Sequence, residues 1–399
     1  MDPPPRMQEL QNCLQCGFCN PVCPTLAEVG WESRSPRGII YGLKRMANPT
    51  FLDRMFRRRL PPVDEKWVRR LYQCTECGRC ARACQVDIDL PRVWEEVRTW
   101  LLQAGVPRLP PHNAMASAIG GTRNYLGAPP DARGDWLGAY RPPQKADAVF
   151  FAGCTMSYEQ INLARASVKV FRAAGLDFTV LGQDEWCCGH PLLLTGDQAG
   201  FLEVAAHNVA AVERAGAIRL VTGCPGCYHT FKKTYPEKGL RLKFDVLHTS
   251  ELLSGLLDRG RLQFNRSPFN DIKSGSPTAK AVIYHDPCVL GRLGGVFEEP
   301  RKLVEALPGA GRLLEFDENR GDSACCGGGG ALRAIEEEMC VRIAQKRLAE
   351  AVEKGAGTVV TACPACRINL GDGVRALKAG QKKVEIATRD LIELLARAV

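Results

Sequence analysis

The sequence predicts a multidomain α+β chain in which a helical N-terminal unit is followed by two duplicated α/β halves with mostly parallel sheets. Three observations predict it. All but one of the nineteen cysteines fall into four spaced arrays. A five-cysteine layout occurs twice, each time within alternating strand and helix patterns of the kind that build parallel βαβ units. Finally, 399 residues exceed what one ordinary hydrophobic core accommodates, so several compact units are expected.

The first unit spans residues 1–105. It carries Cys13, Cys16, Cys19 and Cys23, the last followed by Pro24, and then Cys74, Cys77, Cys80 and Cys84. Both runs have the C-x2-C-x2-C-x3-C spacing that wraps thiolates around a [4Fe-4S] cube, so a helical, ferredoxin-like domain with two such clusters is expected. Zinc, the rival ligand, asks for one tetrahedral foursome rather than this regular run. In two-cluster ferredoxins the fourth cysteine of each run ligates the other cube. On that rule Cys13, Cys16, Cys19 and Cys84 hold one cluster, and Cys74, Cys77, Cys80 and Cys23 the other. Gln85 stands where proline commonly follows the fourth cysteine, which alters a turn without removing a ligand. Between the runs, Ser35 as N-cap, Pro36 in the first turn and Ile39, Ile40, Leu43 and Met46 at helical spacing predict a helix. A second helix opens at Pro91, keeps Val93, Val97, Trp100 and Leu101 largely on one side, and meets Gly105 where a left-handed cap belongs.

Residues 106–145 are rich in Pro and Gly with little periodicity and read as a linker. The first α/β half, 146–266, alternates a strand (148–152), a helix (159–174), a strand (177–181), a helix (198–214) and a strand (218–222). A polar connector, 267–278, leads to the second half, 279–399, where the pattern recurs. Val149 corresponds to Ile283, Cys154 to Cys288, Cys188 to Cys326, and Cys224 to Cys363. The cysteine sets are Cys154, Cys187, Cys188, Cys224 and Cys227, then Cys288, Cys325, Cys326, Cys363 and Cys366. Each group follows a predicted strand, and open α/β sheets gather ligands at the carboxyl ends of their strands, so each set converges on one site. Gly189 and, in the second half, Gly327, Gly328 and the two glycines after them would let backbone pass close to inorganic sulfide and donate N–H groups to it. Cys340 belongs to no set and reads as a buried apolar thiol.

Composition removes several function classes. The formal net charge is +9, but four thiolates around one cube leave about −2, so two cubes alone bring the total to roughly +5. The basic excess is counter-charge for anionic metal sites rather than a footprint for phosphate, and no nucleic-acid partner is expected. The dense basic run Arg54 to Arg59 reads as a solvated helix face. No stretch approaches the roughly 18–20 apolar residues of a membrane span. Without a secretory leader pattern, reduced thiols in a cytoplasm are expected. No G-x-G-x-x-G follows a strand, so neither flavin nor NAD is expected on this chain.

The two five-cysteine sets resemble the CCG domains of heterodisulfide reductase, and two cube motifs followed by two CCG domains resemble the D subunit of that enzyme. The Cys-Cys-Gly-His-Pro-Leu stretch at 187–192, His-Asp-Pro-Cys at 285–288, Asn124-Tyr125-Leu126-Gly127, Arg133, Trp136 and Cys224-Pro-Gly-Cys-Tyr228 carry the match. The resemblance implies that each complete set holds a noncubane [4Fe-4S] cluster. Two such clusters would split a small disulfide, or oxidise a thiol pair, with electrons arriving through the cubes. It further implies an anaerobic electron-transport complex whose donor is a membrane cytochrome, an electron-transferring flavoprotein or a flavin- or hydrogenase-containing complex, with this chain cytoplasmic or held at the cytoplasmic membrane face by a partner. The iron–sulfur subunits of glycolate oxidase and anaerobic glycerol-3-phosphate dehydrogenase are more distant relatives. They offer the alternative of a pure relay in a flavoprotein dehydrogenase, and a zinc-stabilised scaffold is a third reading. His285, three residues before Cys288, is a candidate proton donor to a departing thiolate, with donation of a hydrogen bond to cluster sulfur as its competing role; His190 has a similar but weaker position.

Overall fold

The computed structural model describes residues 4–48, 55, 63–269, 281–380 and 385–399. The basic run at Arg54 to Arg59 lies, Met55 apart, outside the described residues, as does most of the connector. Each α/β half is built on a four-stranded, all-parallel sheet. The first contains β1 (Ala148–Phe150), β2 (Phe178–Thr179), β3 (Arg219–Thr222) and β4 (Asp245–His248), in the order β2-β1-β3-β4. The second contains β5 (Val282–His285), β6 (Leu314–Glu315), β7 (Thr358–Thr361) and β8 (Ala387–Asp390), in the matching order β6-β5-β7-β8. Strands such as β1 and β7 are buried along their whole length, as parallel strands covered by helices on both faces must be.

The outer strands β4 and β8 go beyond the sequence-based expectation, and their residues explain why. Asp-Val-Leu-His and Ala-Thr-Arg-Asp contain no apolar run. They are fixed instead by the helices they lead into: His248 and Asp390 cap Thr249–Asp258 and Leu391–Ala398, with Glu251 and Glu393 closing a capping box. These helices cross between halves. Thr249–Asp258 packs on the second half's Glu298–Glu305, and Leu391–Ala398 packs on the first half's Ile161–Ala173.

The N-terminal unit contains the expected helix Pro36–Ala47, with Ser35 Oγ accepting from Gly38 N at 3.0 Å, and the helix Leu90–Gln103, ended by Gly105 at φ 81°. Ile39, Ile40, Leu43, Trp67, Leu71, Val93 and Trp94 form its core. It lies against both halves. Buried Arg98 pairs with Glu76 and donates to the Leu194 carbonyl at 3.2 Å. Arg292 donates to the Cys77 carbonyl, and Arg82 pairs with Asp322 at 2.6 Å.

Residues 106–145 depart from the expected irregular linker. They form a helix, Pro110–Thr122, and a 3-10 stretch, Pro130–Leu137, and Ala116, Ile119 and Trp136 enter the first half's core. Trp136 meets Phe150 edge-on at 5.9 Å. The bend between them is held by Asn124, which donates to the Ala128 carbonyl at 2.8 Å and accepts from Leu126 and Ala128 N–H. A side-chain polar network leaves no hydrophobic period in the sequence, which is why the segment reads as structureless.

Candidate functional site

The loops leaving β1, β2 and β3 deliver the first cysteine set to one place. The thiols form a connected chain: Cys154 is in hydrogen-bond reach of Cys187, Cys187 of Cys188, Cys188 of Cys227, and Cys227 of Cys224. Gly153, at φ 73°, makes this possible, since a Cβ there would stand 3.0 Å from Cys227 Sγ. The second set repeats the chain from Cys288 through Cys325, Cys326 and Cys366 to Cys363. Contact with Cys187 and burial hold the Cys154 thiol well above the usual range, and contact with Cys326 does the same for Cys366. Five clustered sulfurs, four of them buried in each set, cannot all ionise together without a cation among them, whereas metal ligation requires the thiolates, so each set fits a metal cluster.

Two buried, unpartnered polar atoms strengthen the fit. In the first set Arg133, 3% exposed, places Nη2 3.6 Å from Cys154 Sγ, while its Nη1 has no hydrogen-bond partner. In the second, a ring nitrogen of His285 lies within 4.8 Å of the Cys326 and Cys366 sulfurs. Its Nδ1 accepts from Arg347 Nε at 3.4 Å, which leaves Nε2 as the protonated, unpartnered nitrogen. Burial and the nearby Arg347 push its pKa down to about 3, so the imidazole stays neutral. His285 does not line the cavity that separates the two halves; His190 does, and burial lowers its pKa too.

Backbone donors also reach the ligands. Gly327 N–H donates to Cys325 Sγ at 3.3 Å and Gly328 N–H to Cys326 Sγ at 3.4 Å. Gly189 (φ 86°) and Gly327 (φ 94°) occupy left-handed turns in which a Cβ would come within 2.7 Å of Phe201 Cδ2 and of the Cys340 carbonyl oxygen, respectively. The rest of the glycine run serves a different purpose from the sulfide approach expected of it. Gly329 and Gly330 let the second half lie directly on the Thr75 and Cys74 backbone. Cys340 is fully buried beside Met339 and Ile343, apart from either set's thiol chain.

In the N-terminal unit Cys13, Cys16, Cys19 and Cys84 line one small pocket, together with Gly17 and Arg37. Cys23, Cys74, Cys77 and Cys80 form a second group, close enough to perturb one another's ionisation. Cys77 is also in hydrogen-bond reach of Cys325, so this group abuts the second set directly. Cys16 is exposed, as are Leu14 and Phe18 beside it.

Between the halves lies a cavity of about 810 Å³. All five cysteines of the first set line it, with Cys288, Cys326, Cys363 and Cys366 of the second; Cys325 faces Cys77 instead. Its charged lining is of both signs and partly self-paired, as Lys238 with Glu95 at 2.8 Å and Arg333 with Glu337 at 2.7 Å. Sequence reasoning missed the cavity-lining pair Tyr125 and Glu159, and it missed Glu185, which anchors Arg133 at 3.1 Å. The one signal for Glu185 was an acidic residue two positions before the vicinal cysteines.

Residues 148–232 and 282–371 match the cysteine-rich (CCG) domain family, and residues 9–88 match the 4Fe-4S dicluster domain family. The chain is 33% identical to the D subunit of dihydromethanophenazine:CoB–CoM heterodisulfide reductase from Methanosarcina barkeri, over 99% of this chain and 95% of that one. It is 29% identical to the B subunit of fumarate reductase (CoM/CoB) from Methanothermobacter marburgensis, covering 97% of this chain and 72% of that one. Among solved structures, a hypothetical protein from Helicobacter pylori superposes with a TM-score of 0.57 at 12% identity, covering 98% of this chain and 72% of that one, which is a likeness of fold.

Proposed function

The chain belongs to the family of iron–sulfur oxidoreductase subunits that includes the D subunit of heterodisulfide reductase, and from that membership we propose that it reduces a small disulfide, in a cytoplasm, with electrons supplied by a partner protein. The observation that carries the proposal is the shared cavity. Both cysteine sets open into one space of about 810 Å³, so clusters held there would face a common chamber, the arrangement that a two-electron substrate between one-electron carriers calls for.

Bound clusters, cubes at the two N-terminal groups and noncubane [4Fe-4S] assemblies at the two CCG sets, would supply electrons singly to a disulfide couple that needs two. Cys13, Cys16, Cys19 and Cys84 hold one cube, and Cys74, Cys77, Cys80 and Cys23 the other. The remaining ten set cysteines hold the noncubane pair. The N–H groups of Gly327 and Gly328 stabilise thiolate charge at Cys325 and Cys326. His285, neutral and off the cavity, keeps an unpartnered Nε2 from which a bound cluster could accept a hydrogen bond, and it takes no proton-transfer role in this reading. The cavity walls, including Leu193, Leu194, Pro225 and Ile368, exclude bulk water from the cleaved bond. Exposed Cys16, between Leu14 and Phe18, is the natural entry for a donor's electrons. That donor is a membrane cytochrome, an electron-transferring flavoprotein or a flavin- or hydrogenase-containing complex; among the described residues no helix is long and apolar enough to cross a membrane.

The test is anaerobic reconstitution, followed by iron and sulfide analysis and turnover with reduced dye and a panel of small disulfides. About sixteen irons per chain and disulfide-dependent dye oxidation are expected. Zinc in a colourless protein overturns the whole reading. Full iron with rapid reduction by a flavoprotein and no turnover of any disulfide assigns the chain to the relay class instead.

A further inference from the structure

The two CCG sets are alike in sequence but unlike in the side chains that face their ligand sulfur. At the first, the Arg133 guanidinium sits 3.6 Å from Cys154 Sγ and pairs with Glu185 through Nε at 3.2 Å and Nη2 at 3.1 Å. Glu185 is itself occupied by the strand-end backbone, accepting from Ala152 N–H at 3.0 Å and Gly153 N–H at 2.8 Å. At the second set the side chain facing ligand sulfur is His285, with a ring nitrogen within 4.8 Å of the Cys326 and Cys366 sulfurs, and among the described residues no arginine takes the place of Arg133. Arg292 and Arg347 are nearby cations, but Arg292 is committed to the carbonyls of Cys77, Gly321 and Ser323, and Arg347 to Glu350, the Glu318 carbonyl, Ser323 Oγ and His285; neither bonds a cysteine sulfur. The second set also touches Cys77, a member of a cube group whose cluster is anionic.

A buried cation hydrogen-bonded to a cluster ligand favours the more negative, reduced state, while an adjacent anion disfavours it. We propose that Arg133 is a positioning residue that sets the first cluster at a higher reduction potential than the second. An electron from the partner, arriving beside Cys77, then passes from the second-set cluster, which is oxidised by one electron, to the first-set cluster, which is reduced by one. Arg133 exchanges no proton in that step. The first set is thus the electron-collecting end of the cavity. The inference rests on the proposed function, in which both sets hold clusters.

The experiment is a magnetic-resonance-monitored redox titration of the full chain, with the first-set signal assigned by its loss in Cys154→Ser. Arg133→Gln is expected to lower that midpoint and leave the other three in place, and Arg133→Lys is expected to restore it. Glu185→Gln, which removes the counter-charge, is expected to shift the same midpoint upward, so the proposal stays testable even where Arg133→Gln loses iron. An unmoved midpoint in Glu185→Gln, a lower one, or a shift in Arg133→Lys equal to that in Arg133→Gln overturns the proposal. A wild-type protein whose iron content accounts for fewer than four clusters refutes the underlying cluster assignment instead, and the two failures are read from separate measurements.

Discussion

Replacing Gly330 by alanine probes the seam between the N-terminal unit and the second half. Gly330 adopts φ +68°, and an added Cβ would overlap the Cys74 carbonyl oxygen while lying 2.7 Å from the Thr75 carbonyl carbon and 2.9 Å from its Cα. The left-handed conformation alone costs alanine about 1–2 kcal/mol. Displacing packed backbone costs about 1–3 kcal/mol more, because the obstructing atoms are main chain and cannot rotate aside. The expected loss is therefore about 2–5 kcal/mol. Gly355 provides the matched control: its φ is +77° and nothing lies within 4 Å of its added Cβ, so only the conformational part applies. Denaturant unfolding of the two anaerobically reconstituted variants measures the difference. Because the seam also brings Cys77 to Cys325, Gly330→Ala should slow electron passage from the N-terminal clusters in stopped-flow reduction. If the two variants lose equal stability within about 0.5 kcal/mol, the close approach has been misjudged.

Trp136→Ala should cost about 3–5 kcal/mol in the same unfolding assay, because Trp136 is buried against Phe150; a surface-like loss of under about 0.5 kcal/mol would mean that residues 106–145 do not belong to the core. Cys84→Ser should abolish the resonance signal of the cluster held with Cys13, Cys16 and Cys19 and spare the other cube, and loss of the other signal instead would reverse the ligand assignment. Burial raises the Asp390 pKa from 3.8 to about 7. The folded chain thus keeps a proton that the unfolded chain releases near pH 4, so stability falls as pH rises from about 4 to about 7 and then levels. Asp390→Asn, which keeps the helix cap, should be more stable than the parent at pH 8 and equal to it at pH 4; identical curves at both values would remove the buried carboxyl from the account.

How much of this was written in the sequence depends on what kind of force fixes each part. Cysteine spacing and the succession of strands and helices are local and repetitive, so both halves and their parallel sheets could be read directly. Strands β4 and β8 could not, because they are set by edge pairing and capping rather than by apolar runs. The segment 106–145 hid its helix behind Pro and Gly, with Asn124 and Arg133 fixed by partners such as Ala128 and Glu185 that no periodicity marks. At the site, the convergence of each set's cysteines was foreseen, but neither Arg133 beside Cys154 nor the opening of both sets into one cavity was. That depends on how two distant halves face each other, as does the contact between Cys77 and Cys325.

The exchange of helices between halves has an ancestral consequence. Thr249–Asp258 lies on Glu298–Glu305, and Leu391–Ala398 lies on Ile161–Ala173, so each repeat offers the other its terminal helix in the same manner. That is the self-complementary, isologous arrangement of a two-fold homodimer. A progenitor encoding one repeat would have brought two cysteine sets to face one space only by pairing with its own copy, and fusion of the two genes freed the twin walls to diverge.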